Sequence, residues 1–308
     1  MEKFVLTTEL DDIRLDKYLS EQLPNFSRSY LQNLIKDGFA KVDKKRIVKT
    51  NYKLRVGEIV ELEVPEPQTL DVKAENIPLD IIYEDEDVLI VNKPKDMVVH
   101  PAAGHDSGTL VHAALHHCQE NLSGINGVLR PGIVHRIDKK TTGSLIICKN
   151  DMAHHCLANQ LKEHRITRIY HAIVYGNIKR DTLTIHKPIG RHPVDRKKMS
   201  IHTKSGRDAV THLEVLERFG NYTYVACRLE TGRTHQIRVH LSAIGHPILG
   251  DAVYGRGKAP FQLNGQTLHA KVVGFVHPRT LEYVEFDTEL PAYFIELLQK
   301  LRYNINNN

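Results

Sequence analysis

The stretch GIVHRIDKKTTGS, Gly132 to Ser144, sets one carboxylate, Asp138, among Arg136, Lys139 and Lys140, in a turn-like segment ahead of the apolar run Ser144 to Cys148. Basic neighbours favour the charged form of an acid, so Asp138 is expected to be available as a nucleophile or base, with cations at hand for an anionic substrate. The same residues would suit a surface turn in which Asp138 pairs with a neighbouring cation. This stretch alone leaves both readings open.

Two further segments follow it: RITRIYHAIVYG, Arg165 to Gly176, and LETGRTHQIRVHLSAIGHPILGDAVYG, Leu229 to Gly255. Together the three stretches resemble the signatures of the RluA family of pseudouridine synthases: an HR-hydrophobic-D segment, a basic-x-Tyr-x-Ala-x-Val-x-Gly strand and a third, longer motif. The resemblance covers about the whole chain, because the N-terminal segment is similar to the S4 RNA-binding module that many members carry. GRHPVDRKKMS, Gly190 to Ser200, resembles the D-type enzymes of the large ribosomal subunit. Two positions depart from the pattern: Ile137 replaces the commoner leucine, and Lys140 stands where an acid is frequent.

The resemblance implies an α+β protein. Its catalytic domain would have a central, mostly antiparallel mixed sheet with a cleft, preceded by a small α/β S4 (alpha-L) RNA-binding domain. It implies isomerisation of uridine to pseudouridine in RNA, most like large-subunit ribosomal RNA, without cofactor or metal. Asp138 is then the nucleophile, and the route of attack stays open. Arg238, in HQIRVH, is its salt-bridge partner, and a guanidinium fork suits this task better than a lysine point charge. The apolar spacing of Ile237, Leu241 and Ile244 leaves Arg238 beside a buried stripe at the edge of the cleft. Tyr170 corresponds to the tyrosine that stacks on the target base, and strand alternation puts Arg168, Ala172 and Val174 on its face. Arg136 corresponds to the arginine that enters the RNA stack as the nucleotide flips, and Arg233 joins the RNA-binding set.

A chain of 308 residues accommodates one substantial domain and a small appendage. Its formal charge of +5 permits RNA binding without proving it. The four cysteines are widely spaced, and the N-terminus MEKFVLTTELDD lacks a signal-peptide core, so reduced thiols in a cytoplasmic protein are expected. No run is long enough to span a membrane. A monomer acting on ribosomal RNA or pre-ribosomal particles is the expected state.

Residues 1–66 read as the S4-like domain. Ile13 to about Leu23 and Ser27 to about Lys36 are helical, broken at Pro24-Asn25, with Ser27 as N-cap and Gly38 as stop. Leu31, Leu34 and Ile35 form an apolar stripe, and Val42, Val56, Ile59 and Leu62 are expected at buried strand positions. Arg14, Lys17, Arg28, Lys36, Lys44 and Lys45 are candidate RNA contacts, though a solvated charged face would look the same. Pro65 to Gln68 reads as a linker, and the catalytic domain takes residues 75–303. Asp80 to Lys93 suggests a hairpin, Thr109 to Cys118 a helix, and Asp151 an N-cap for a helix to about His164. Pro291 opens a final helix, and residues 304–308 are expected to form a loose tail. Lys187 to Arg207, with Arg196, Lys197 and Lys198 at its centre, reads as an RNA-gripping arm or a disordered basic loop.

Rival chemistries have weaker support. His116, His117 and Cys118, or His154, His155 and Cys156, are adjacent residues that diverge on a helix, and no CxxC or HExxH frame accompanies them. A glycosidase would need a second carboxylate of matching prominence. The transfer-RNA version of the same chemistry, and a non-catalytic S4 RNA-binding or ribosome-assembly protein, are the remaining alternatives.

Overall fold

The computed structural model describes residues 2–24, 26, 28–65, 72–101, 104–119, 122–123, 131–195, 197–203, 205–257 and 261–306, with backbone alone at 29 and 304–306. Asn25, the Ser27 cap, all of the Pro65 to Gln68 linker except Pro65, and Arg196 lie outside these residues. The chain divides into two compact units, Met1–Thr69 and Leu70–Asn308.

In the first unit, helices Leu15–Gln22 and Arg28–Asp37 pack over a four-stranded antiparallel sheet. Its strand order is Glu2–Thr7, Ile59–Val64, Ala40–Val42, Lys45–Ile47. Leu31, Leu34 and Ile35 meet Leu15, Leu19, Val60 and Leu62 in its core. Gly38 closes the second helix at φ 83°, a left-handed value that costs glycine no steric strain. Asp43 and Lys44 both have positive φ, as a two-residue hairpin turn of mirror-image type requires, and this turn presents Lys44 and Lys45 to solvent. Two strand positions differ from expectation: Ile59 is 44% exposed and Val56 is 64% exposed. Strand alternation buries Val60, Leu62 and Val64, so Ile59 shares the outer face with Glu61 and Glu63, and Val56 lies in a turn. The N-terminal strand, unread from sequence, pairs along Ile59–Val64.

The second unit is built on a nine-stranded sheet. Across it run Thr182–His186, Val210–Arg218, Tyr222–Leu229, Thr167–Tyr175, Leu268–Val276, Thr142–Cys148, Val88–Lys93 and Ile81–Glu84, with Tyr283–Asp287 joining off this path. Every pairing is antiparallel except that between Leu268–Val276 and Thr142–Cys148. The parallel contact spans only His269↔Thr142 and Ala270↔Gly143, after which Val272 to Val276 pair instead with Asp287 to Tyr283. The sheet therefore forks, and the segment bearing Asp138 enters just ahead of the fork. Gly143, at φ 110°, makes the close pairing possible, since a Cβ there would run into the Ala270 carbonyl.

Three helices flank the sheet: Leu110–His117, Asp151–Lys162 and Gln236–Ala243. Asn150 caps the second of these, its side chain accepting from Ala153 N, so the cap falls one residue before Asp151. The final helix, Ala292–Asn306, buries Phe294, Leu297, Leu298 and Leu301 and extends through Asn306, which corrects the expected tail from residue 304. Among the described residues no helix is long and apolar enough to cross a membrane.

Candidate active site

Asp138 lies in the irregular segment between Ile133 and the Thr142–Cys148 strand, partly open to solvent. Below it, Lys93 is fully buried and donates from Nζ to the carbonyls of Pro94 (2.7 Å), Met97 (2.8 Å) and Lys139 (3.3 Å). Burial pushes this ammonium down to about 7, against the pull of Asp138 and Asp96. Lys93 thus ties the Asp138 loop to the preceding hairpin. Sequence reading missed it, because its burial arises from packing that no local pattern records.

Arg238 rises from the Gln236–Ala243 helix and donates from Nη1 to Asp138 Oδ2 at 2.8 Å. Its remaining fork is held by Asp251, through Nε to Oδ2 at 2.7 Å and Nη2 to Oδ1 at 2.9 Å. Arg238 is 6% exposed, so it is buried more deeply than the helical stripe suggested, yet it lines the cleft beside Asp138 as expected. Burial alone would disfavour its charge, but the hydrogen bonds and charge of Asp251, then of Asp138, outweigh that and raise its pKa. Asp251 also accepts from Val253 N and Tyr254 N, which fixes it in the turn of GDAVYG. Sequence reading missed Asp251, although an acid two and three residues before turn amides is a recognisable local signal.

His235 begins the same helix in left-handed conformation, φ 56°, with Nε2 3.9 Å from Asp138 Oδ1. Its Nδ1 meets Tyr254 Oη at 2.9 Å, and that hydroxyl accepts from Met199 N at 2.7 Å. Met199–Ser200 pairs with Gly190–Arg191, so the basic arm is a short hairpin pinned to the site through Tyr254. Lys197 on this arm is exposed, Lys198 lies 3.8 Å from Asp195, and Arg196 and Lys204 are outside the described residues.

Tyr170 is 7% exposed on the Thr167–Tyr175 strand, with Arg168, Ala172 and Val174 buried on its face. Burial raises its phenol pKa. Tyr170, Asp138 and Arg238 line a cavity of about 500 Å³ together with Arg136, Arg168, Arg233 and His235. A second cavity of about 620 Å³ opens on the other side of Asp138, lined by Lys139, Lys140 and His100, and Arg136 stands exposed between the two. Arg233 is half-buried and donates from Nε to Asp208 O.

The candidates in the first unit lie apart from these residues in the chain. Lys17, Lys36, Lys44 and Lys45 are exposed, and Lys17 lies 3.7 Å from Glu21. Arg14 and Arg28 are engaged: both grip the buried Asp16, which also accepts from Gln32. Burial opposes the Asp16 charge, but these donors more than compensate and bring its pKa down to about 2. The histidine clusters weighed as metal ligands do not converge among the described residues. The grouping that does, Asp85, Asp87 and His277, has Arg279 on both oxygens of Asp87.

A compact carboxylate–guanidinium–carboxylate array beside a buried tyrosine, in a base-sized cavity rimmed by cations, can hold a flipped nucleotide against one carboxylate. Comparison with known proteins identifies the setting. Residues 87–243 match the RNA pseudouridylate synthase family and residues 13–60 match the S4 domain. An uncharacterized RNA pseudouridine synthase of Bacillus subtilis, YlyB, is 55% identical over 94% of this chain and 95% of its own length. The ribosomal large subunit pseudouridine synthase D of Zymomonas mobilis is 43% identical over 100% of this chain and 99% of its own. Among solved structures, human RNA pseudouridylate synthase domain containing 1 superposes with a TM-score of 0.56 at 28% identity, over 74% of this chain and 96% of that one. With the family model covering half the chain and these relatives matching nearly all of it, the chain belongs to the RNA pseudouridine synthases and carries an S4 domain ahead of its catalytic unit.

Proposed function

We propose that Asp138 is the nucleophile of a cofactor-free isomerisation of uridines in large-subunit ribosomal RNA. The observation that carries this reading is the Asp138–Arg238–Asp251 array, in which Arg238 points one N–H at Asp138 while Asp251 holds the other side of its fork. Arg238 orients the carboxylate through its Nη1 hydrogen bond, and Tyr170 supplies an aromatic plane for the base. The base–ribose bond breaks, the base turns within the cavity and rejoins through carbon, so no electrons are exchanged with a cofactor. Arg136, at the mouth of both cavities, fills the space that the extruded nucleotide leaves in the RNA stack. The S4 cations and the arm hairpin hold the surrounding backbone. The large-subunit assignment is supported by similarity to several relatives named ribosomal large subunit pseudouridine synthase D. The protein acts as a cytoplasmic monomer.

The test is pseudouridine mapping across ribosomal and transfer RNA from cells with and without the gene, complemented by wild-type or Asp138→Asn protein. Large-subunit signals restored by wild-type alone are expected. Loss confined to transfer RNA would overturn the substrate, and restoration by Asp138→Asn would overturn the nucleophile.

A further inference from the structure

Arg168 is 7% exposed, yet no carboxylate lies within ion-pair distance of it among the described residues. Its Nη2 donates to Glu230 O at 2.9 Å, and its Nε, wholly buried, makes no hydrogen bond among the described residues. Burial lowers the pKa of Arg168; Tyr170 opposes that, and Arg233, a second cation, adds to it. A buried guanidinium without a counter-charge is costly unless something that enters the site completes it. The cavity that Arg168 lines is the one containing Asp138 and Tyr170. Arg168 and Tyr170 stand two residues apart on one strand and on one face, both directed inward.

The fold reserves space for this side chain. Gly232, in TGRTH, has no Cβ, and one built there would lie 2.6 Å from Arg168 Nη1. Gly232 does not adopt a left-handed φ, so the role of this glycine is room for the guanidinium and not backbone freedom.

We propose that Arg168 is a catalytic residue that donates hydrogen bonds to a carbonyl oxygen of the target uracil and stabilises the negative charge on the base as it leaves the ribose. This rests on the reading of the Asp138 site given above. When the N1–C1′ bond breaks, its electron pair stays with the base and spreads from N1 onto the carbonyl oxygens. Arg168 keeps its protons and meets that charge with N–H groups on a side chain already fixed by burial and by its bond to Glu230 O. Asp138 bonds to C1′ as N1 leaves; the base then turns, C5 bonds to C1′ as the Asp138–C1′ bond breaks and frees the carboxylate, the C5 proton is released and N1 gains one, so atoms and electrons balance. A phosphate contact would be expected from an exposed cation at the rim, as Arg136 is, and not from a side chain sealed beside the stacking tyrosine.

The test compares wild type, Arg168→Gln, Arg168→Lys and Gly232→Ala in single-turnover reactions at saturating enzyme. The substrate is the large-subunit or transfer RNA transcript that wild type converts, made with uridine or with 5-fluorouridine. Consumption of the target nucleotide is followed by digestion and mass spectrometry. Fluorine withdraws electrons and makes the base a better leaving group, so it relieves the need for a donor. Arg168→Gln should slow the uridine transcript about 10²- to 10³-fold and the fluorinated transcript by less than about tenfold, with RNA affinity within about threefold of wild type. Arg168→Lys should recover part of the rate. Gly232→Ala keeps the arginine but displaces its tip, and should show the same selective deficit at smaller size. Equal deficits on both transcripts would reduce Arg168 to a structural role. Weakened affinity with an unchanged saturating rate would make it a phosphate contact, and either result overturns the proposal. No product from wild type on either RNA would instead overturn the reading of the Asp138 site itself.

Discussion

Asp251 grips Arg238 through two parallel N–H···O bonds of 2.7 and 2.9 Å, and only the third edge of the guanidinium is left for Asp138. Arg238 is therefore positioned by one acid to serve another. Asp251→Asn retains the shape but loses the charge and one acceptor, so the fork can turn. Its saturating rate should fall about 10²-fold, as expected for a displacement of the order of an ångström, while RNA affinity stays unchanged. Filter binding and single-turnover kinetics separate the two, and an unaltered rate would show that Arg238 is oriented without Asp251.

The Tyr254 hydroxyl joins the arm to the site, accepting from Met199 N and meeting His235 Nδ1. Tyr254→Phe leaves Met199 N–H without its partner at a local cost of about 1 to 2 kcal/mol. The arm should then open more often, and tryptic cleavage after Lys197 or Lys198 should accelerate about tenfold, while the rest of the unit resists. Cleavage at the wild-type rate would mean that the hairpin holds itself.

Burial lowers the pKa of His135 to about 3 and of His171 and His269 to about 4, from an ordinary 6.5. Below pH 6.5 the unfolded chain takes up protons that the folded chain refuses, so stability present above that pH is lost as acid is added. The urea midpoint of the catalytic unit should fall steadily from pH 6.5 toward pH 4, and His135→Gln should flatten the slope. A midpoint constant across that window would contradict the burial of these rings.

In the first unit, two kinds of basic residue should behave differently. Lys44→Ala and Lys45→Ala remove exposed cations, and each should lower the slope of log affinity against log salt by roughly 0.7 to 0.9 with the melting temperature unchanged. Asp16→Asn instead loosens the acceptor shared by Arg14, Arg28 and Gln32 and should cost about 2 kcal/mol of stability. Calorimetry alongside salt titration distinguishes them; a salt slope untouched by both lysine variants would remove the hairpin turn from the RNA surface.

Residues set in contiguous motifs were legible from the sequence, and the fold brings three of them to one cavity. Asp138, Tyr170 and Arg238 sit in strings that name them, and the helices of the first unit announce themselves by apolar spacing and by Gly38. What stayed hidden is what depends on distant chain. The burial of Arg238 follows from Asp251, thirteen residues on and in a turn that folds back. Lys93 is tied beneath the Asp138 loop by its bond to Lys139 O, and the Arg168 guanidinium fits where Gly232, far along the chain, leaves it room. Ile59 faces outward because β-branched residues suit either face of a strand and only the register with Glu2–Thr7 decides which face is inside, whereas Val56 falls in the turn between two strands.

The fork in the large sheet also sets an order of assembly during synthesis. The strand that follows Asp138 finds its parallel partner at His269 and Ala270, and Arg238 lies between them in sequence. A ribosome must therefore release nearly the whole catalytic unit before Asp138 acquires its surroundings, although the S4 unit, with its own core, is finished long before. The core of the first unit is thus complete early in the life of each chain, and the surroundings of Asp138 only at its end.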